Sequence, residues 1–129
     1  MHRTSVFRHK LDKRDKLFLK SDFDFVRQNG VKSVSPGILV VTAPGERLRC
    51  GVVCGKKYSL LSVVRNRARR LLWESFRLLK PEISPCTMIL IPRKKMLSYK
   101  RQQVTAELAE ILKEQKLMPQ DAAVWQQDR

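Results

Sequence analysis

Six cations and one amide fall within the fifteen residues from Lys56 to Arg70: Lys56, Lys57, Arg65, Asn66, Arg67, Arg69 and Arg70. No acidic residue stands near them until Glu74. Arginine presents a planar fork that can grip two phosphate oxygens or a guanine edge, whereas lysine offers a compact point charge. Four guanidiniums in six residues, 65 to 70, repel one another in the free chain. That repulsion is relieved when a polyanion neutralises them. An ordinary solvated helix face would mix these charges with acids, so the chemistry indicated is the binding of folded RNA.

Conventional catalytic groupings are missing from the sequence. No pair of histidines or cluster of carboxylates is spaced to hold a catalytic metal, and Asp22 with Asp24 is explained by capping at a helix start. The three cysteines, Cys50, Cys54 and Cys86, form no CxxC pair, and any bridge would leave one over. Cys50 and Cys54 share a parity on one strand and could approach Cys86, which raises a zinc site. Both histidines, His2 and His9, lie far away at the amino terminus, so the reading taken is of small buried hydrophobes in a reduced, cytoplasmic protein.

The whole composition agrees with an anionic partner. Twenty-seven Lys and Arg against twelve Asp and Glu give a formal charge of +15 over 129 residues. The isoelectric point is near 10.4. A membrane is the other natural anionic surface, but no stretch approaches the roughly 18 apolar residues of a spanning helix, and no wide apolar face accompanies the basic segments. The length suits one domain. Residues 1–20 read as a flexible basic arm, 21–116 as the domain and 117–129 as a loose polar tail.

Several elements must position the cations. Ser21-Asp22-Phe23-Asp24 resembles a capping box, and Gly30 is placed to end the short helix that follows. Pro36-Gly37 opens a strand, Ile38-Leu39-Val40-Val41-Thr42, which ends at the turn Pro44-Gly45. Alternation of Leu48, Cys50, Val52 and Cys54 with Arg49, Gly51, Val53 and Gly55 predicts a second strand, paired antiparallel with the first. A long basic helix spans about 62–80 and stops at Pro81. At 100° per residue its stripe is Val64, Ala68, Leu71, Leu72, Ser75 and Leu79, with Phe76 and Leu78 at the margins. Arg65 and Arg69 flank one border, Arg67 the other, while Asn66, Arg70 and Arg77 point away. The apolar run 86–91 predicts a central strand, and Arg93, Lys94 and Lys95 form a second cationic cluster. The last helix, about 99–115, turns Val104, Leu108, Ile111 and Leu112 inward, with Glu107, Glu110 and Lys113 outside. Together these elements give an α+β fold in which helices pack on one sheet.

Gly51-Val52-Val53-Cys54-Gly55-Lys56-Lys57, then Val63-Val64-Arg65-Asn66-Arg67-Ala68-Arg69-Arg70-Leu71-Leu72 and Glu74-Ser75-Phe76-Arg77, resemble the signature of the bacterial ribonuclease P protein subunit. The order and spacing make the match specific, and weaker similarity extends over about four fifths of the chain. The resemblance implies a single-domain α/β sandwich like the second domain of a ribosomal small-subunit protein. It also implies a left-handed β-α-β crossover through the basic helix, where general statistics favour a right-handed one. It implies a small accessory to a catalytic RNA that removes the 5′ leader of precursor tRNA with Mg²⁺ held mainly by the RNA, the isolated chain being inactive. Catalytic RNA and precursor tRNA are then the partners, and no obligate protein partner is implied.

By the same resemblance, Lys56, Lys57, Arg65, Asn66, Arg67, Arg69 and Arg70 face the catalytic RNA, with Arg77, Arg93 and Lys94 extending the cationic surface. Asn66 is free to orient an arginine or to bind a metal-held water. A cleft between the first helix and the sheet would carry the single-stranded leader over Phe23. Two positions that are often aromatic in relatives are Arg27 and Val41 here, so charge takes over part of the work of stacking. Two readings of Trp73 stand: a platform for a base or an arginine, and an apolar cover for arginine stems. A protein-only nuclease lacks its catalytic groups. A ribosomal or DNA-binding module would place more of its cations on the helix itself.

Overall fold

The computed structural model describes residues 13–17 and 19–120. Four strands, β1 Val31–Val34, β2 Ile38–Pro44, β3 Arg49–Val52 and β4 Cys86–Pro92, form one sheet in the order β1-β2-β4-β3. β1 with β2 and β2 with β4 are antiparallel, and β3 with β4 is parallel. A parallel pair needs a long return, supplied by α2 (Ser62–Leu79). Helices α1 (Lys20–Asn29) and α3 (Arg101–Glu114) complete the α+β architecture that the sequence predicts.

Strand alternation divides the apolar residues between two layers. Ile38, Val40, Cys50, Met88 and Leu90 enter the larger core with Leu72, Phe76 and Leu79 of α2 and Leu108 and Leu112 of α3. Val41, Ala43 and Ile89 enter a smaller core under α1, closed by Val26 and Leu17. β4 is covered on both faces, hence its nearly unbroken apolar run. Ser75, polar within the buried stripe of α2, is satisfied by Thr105 of α3 at 2.8 Å. All three cysteines are free and buried, as the reading of small hydrophobes holds.

Several expectations change. The strand at 49–52 does not pair with β2, because β4 lies between them. A strand apolar on both faces is stable only inside the sheet, which displaces β3 outward and makes Pro44-Gly45 a connection instead of a hairpin turn. The hairpin partner of β2 is β1, reached through the Pro36-Gly37 turn. α1 begins at Lys20 with Leu19 as its N-cap and no side-chain cap, so the Ser21 capping box is absent. Asp22 is drawn instead to Arg49 at 2.8 Å. Gly30 ends α1 with φ of −87°. A glycine is required there for space, since a Cβ would lie 2.4 Å from the Val26 carbonyl and 2.7 Å from Val41 Cγ1.

The ordered body also extends past both expected boundaries. Leu17 is buried and its N–H donates to the Cys50 carbonyl at 3.0 Å. Asp15, also buried, accepts from Arg47 at 3.1 Å and from Lys80 at 2.6 Å. Only residues 1–12 and 18 of the expected arm lie outside the described residues. At the other end Met118 enters the main core, and Ser84 N–H donates to the Leu117 carbonyl at 2.8 Å. Of the expected tail, 121–129 lie outside the described residues. On α3, Lys113 is buried rather than solvated. Glu107 turns inward to accept from Ser35 Oγ, from Gly37 N–H at 2.8 Å and from Tyr99 OH at 2.6 Å.

Candidate nucleic-acid interface

Because β3 and β4 run parallel, the loops that leave them emerge at the same end of the sheet. The first loop carries Lys56 and Lys57 and leads into the amino-terminal half of α2, with Arg65, Asn66, Arg67, Arg69 and Arg70. The second carries Arg93, Lys94 and Lys95 and leads to Lys100 and Arg101 at the start of α3. Topology thus gathers two cationic clusters, distant in sequence, into one surface. Arg67 spans them, its Nη2 donating to the Tyr99 carbonyl at 2.8 Å.

Three guanidiniums on α2 are fixed by backbone carbonyls. Besides Arg67, Arg65 Nη1 donates to Ser59 O at 3.0 Å and Arg69 Nη2 to Cys54 O at 2.9 Å. Asn66 Oδ1 accepts from Arg69 Nη1 at 2.9 Å, so the amide orients an arginine. Each pinned guanidinium keeps further N–H donors for a ligand, and binding then loses less side-chain entropy than a free arginine would. Lys56, Lys57 and Arg70 are exposed. Arg93 Nη1 donates to Ser35 O at 2.7 Å. Burial raises the pKa of the Cys54 thiol, with the nearby Arg69 and Arg65 opposing the shift; the part of this residue that serves the site is its carbonyl, which accepts from Arg69. Among the described residues no group of three His, Cys, Asp or Glu side chains could hold a metal ion.

Arg77 stands apart from this surface. It lies eight residues beyond Arg69 on α2, about 12 Å along the axis. Trp73 between them packs against the main core and meets Phe76 edge-on, 6.1 Å between centroids at 82°. Lys16 Nζ sits 5.1 Å from its ring centroid. Trp73 therefore holds the 13–17 segment, a role that neither sequence reading of it included.

On the opposite face of the sheet, Phe23 of α1 lies on Gly51. A Cβ on Gly51 would come within 2.6 Å of the phenyl ring. Arg27 is exposed on the same helix. Val41 is not available to a ligand: it is 2% exposed, sealed beneath α1 with Val26. Strand register explains the misplacement. Pairing of Val34 with Leu39 and of Leu39 with Ile91 sets these three in one row across β1, β2 and β4, and Val53, the residue after β3, continues it beside the smaller core. This aliphatic row is partly open beside α1, and Val41 belongs to the next, covered row. At its β3 end the row meets a cavity of about 270 Å³ bounded by Gly55, Lys56, Lys57, Tyr58 and Pro92. The open row thus runs toward the basic surface. Sequence reasoning missed the row because its members become neighbours only once strand order is known.

The sequence and the fold both have counterparts among known proteins. The model of the ribonuclease P family matches residues 11–116. The ribonuclease P protein component of an Exiguobacterium species is 30% identical over 118 residues, covering 90% of this chain and 96% of that protein. The solved RNase P protein of Thermotoga maritima superposes with a TM-score of 0.71 at 26% identity, over 78% of this chain and 97% of that one. That of Staphylococcus aureus, at 23% identity, shares the fold with a TM-score of 0.73, over 81% and 97%.

Proposed function

The chain belongs to the ribonuclease P family, protein components of a ribonucleoprotein acting in tRNA processing, and from that premise we propose that it binds the catalytic RNA through the basic end of the sheet and the 5′ leader of precursor tRNA through the cleft beside α1. The observation that carries the reading is the gathering of Lys56, Lys57, Arg65, Arg67, Arg69 and Arg70 on the loop after β3 and the first half of α2, with three of the guanidiniums pinned to backbone carbonyls. Phosphates crowd where two RNAs meet. Fixed cations lower that repulsion and leave the inner coordination positions of Mg²⁺ to RNA oxygens. The metal is thus held mainly by the RNA, which carries out the hydrolysis, while the protein aligns RNA and substrate in the cytoplasm.

The leader path follows the row Val34, Leu39, Ile91 and Val53, with Phe23 at its wall and Arg27 beside it. Aliphatic floors contact bases less strongly than aromatic ones, for which stacking contributes roughly 1–3 kcal/mol per base. Grip on the leader therefore depends on backbone charge, supplied by Arg27 and Lys56-Lys57. The decisive experiment compares Mg²⁺-dependent cleavage of precursor tRNA by the chain alone, by the catalytic RNA alone, and by both at low magnesium. Stimulation of the RNA by an inactive chain is the expected result. Cleavage by the chain alone, or no effect on the RNA, would overturn it.

A further inference from the structure

Between Lys57 and Arg65 the chain carries apolar side chains in the open: Leu60 is 80% exposed, Leu61 63% and Val63 71%. Isolated exposed apolar residues are common on protein surfaces, but three within four positions form a patch. Nor does the patch sit on a slack loop. Tyr58 is buried and its N–H donates to Gly55 O at 3.1 Å. Ser59 Oγ accepts from Leu61 N–H at 3.1 Å, Ser59 O is held by Arg65, and Leu61 O accepts the N–H of Arg65 at 3.1 Å. The backbone is stitched on both sides of the leucines, which leaves them standing outward on a rigid support.

We infer that Leu60, Leu61 and Val63 form an apolar tip that seats against the face of an unstacked nucleotide in the RNA bound by the basic surface. The inference rests on the RNA-binding reading above and adds the kind of RNA feature recognised. Val63 shares a helix face with Asn66, Arg67 and Arg70, at spacings of three, four and seven residues, so the tip is continuous with the cations. No acid stands between Glu46 and Glu74, so whatever covers the tip must also accept this charge. RNA does both where it leaves a base unpaired: phosphates meet the guanidiniums, and the exposed base face has no stacking partner. A second copy of the chain would bring like charges together. A lipid surface calls for a wider apolar face than three side chains.

The test uses the full chain, the catalytic RNA of the organism that encodes it, and the variant Leu60→Ser/Leu61→Ser/Val63→Ser, whose exposed positions leave the core untouched. Affinity is measured across a range of KCl concentrations. The variant should lose about tenfold or more in affinity at every salt concentration, with the slope of log affinity against log salt unchanged, because apolar contact displaces no counterions. Chemical probing should show one or two unpaired nucleotides protected by wild type and reactive with the variant. Equal binding by variant and wild type, with wild-type binding intact, would overturn the tip alone. Failure of wild type to bind the RNA would overturn the RNA-binding reading and the tip with it. Loss in the variant of dimerisation, or of binding to phosphatidylglycerol vesicles, with RNA affinity retained, would assign the patch elsewhere and overturn the proposal.

Discussion

Arg69 and Arg70 are neighbours in sequence with different duties, and replacing each by alanine separates structure from binding. Arg69 joins the carbonyl of Cys54 and the amide oxygen of Asn66, each at 2.9 Å. A hydrogen bond from a charged donor to a partly buried carbonyl contributes about 1.5–3 kcal/mol, and the exposed bond to Asn66 adds less. Arg69→Ala should therefore destabilise the fold by about 2–3 kcal/mol. Arg70 is exposed with no partner among the described residues, so Arg70→Ala should stay within about 0.5 kcal/mol of wild type. On RNA both variants lose a cation, and each should lower the salt slope by about 0.7–0.9 per phosphate contact. Arg69→Lys keeps the charge without the fork, so it should preserve most of the slope while losing one of the two bonds. Urea unfolding gives the first quantity and RNA binding over a KCl series the second. An Arg69→Ala protein as stable as wild type, or an Arg70→Ala slope equal to wild type, would refute the division of labour.

Phe23→Ala should weaken binding of leader-bearing precursor more than that of mature tRNA, and equal losses would make Phe23 a packing residue only. Gly51→Ala forces the Phe23 ring off the sheet, so it should cost about 1–3 kcal/mol of stability and reproduce the leader defect; a wild-type melting curve would contradict this. The hydrogen bond to Glu107, followed by burial, pushes the Tyr99 phenol up to about 12. Since an unfolded tyrosine titrates near about 10, the stabilisation is complete below that pH and drains away as pH rises toward 12. Tyr99→Phe should lower stability by about 1–2 kcal/mol at neutral pH and flatten the loss between about pH 10 and 12, which denaturation at several alkaline pH values will show or exclude.

Local pattern was enough for elements whose neighbours matter little. The stripe on α2 needs only helical geometry, and five of its six predicted positions, Ala68 through Leu79, are buried. The run at 86–91 announces its central place because both faces are apolar. Pairing was another matter: the alternation at 48–55 says which residues share a face, not which strand lies beside them, and the nearest candidate in sequence was the wrong one. Val41 was misplaced for the same reason, one row of the pleat being covered by α1 and the next left open. Glu107 looked like a solvated helix residue because its three donors come from the Ser35-to-Gly37 turn and Tyr99. The cations of the interface were legible by type, while their fastening to Ser59, Tyr99 and Cys54 carbonyls emerges only when loop and helix meet.

The contact of Lys16 and Leu17 with Cys50 carries a consequence for how the molecule behaves among its own kind. β3 is an outer strand, and an outer strand with bare amides and carbonyls is a template on which another chain can add. The short stretch before α1 occupies part of that edge and anchors itself with Leu17, Asp15 and the Trp73 ring. A segment that reads in sequence as a flexible basic arm thus covers part of an open sheet edge, and trimming the protein to Ser21 would lay those backbone groups bare.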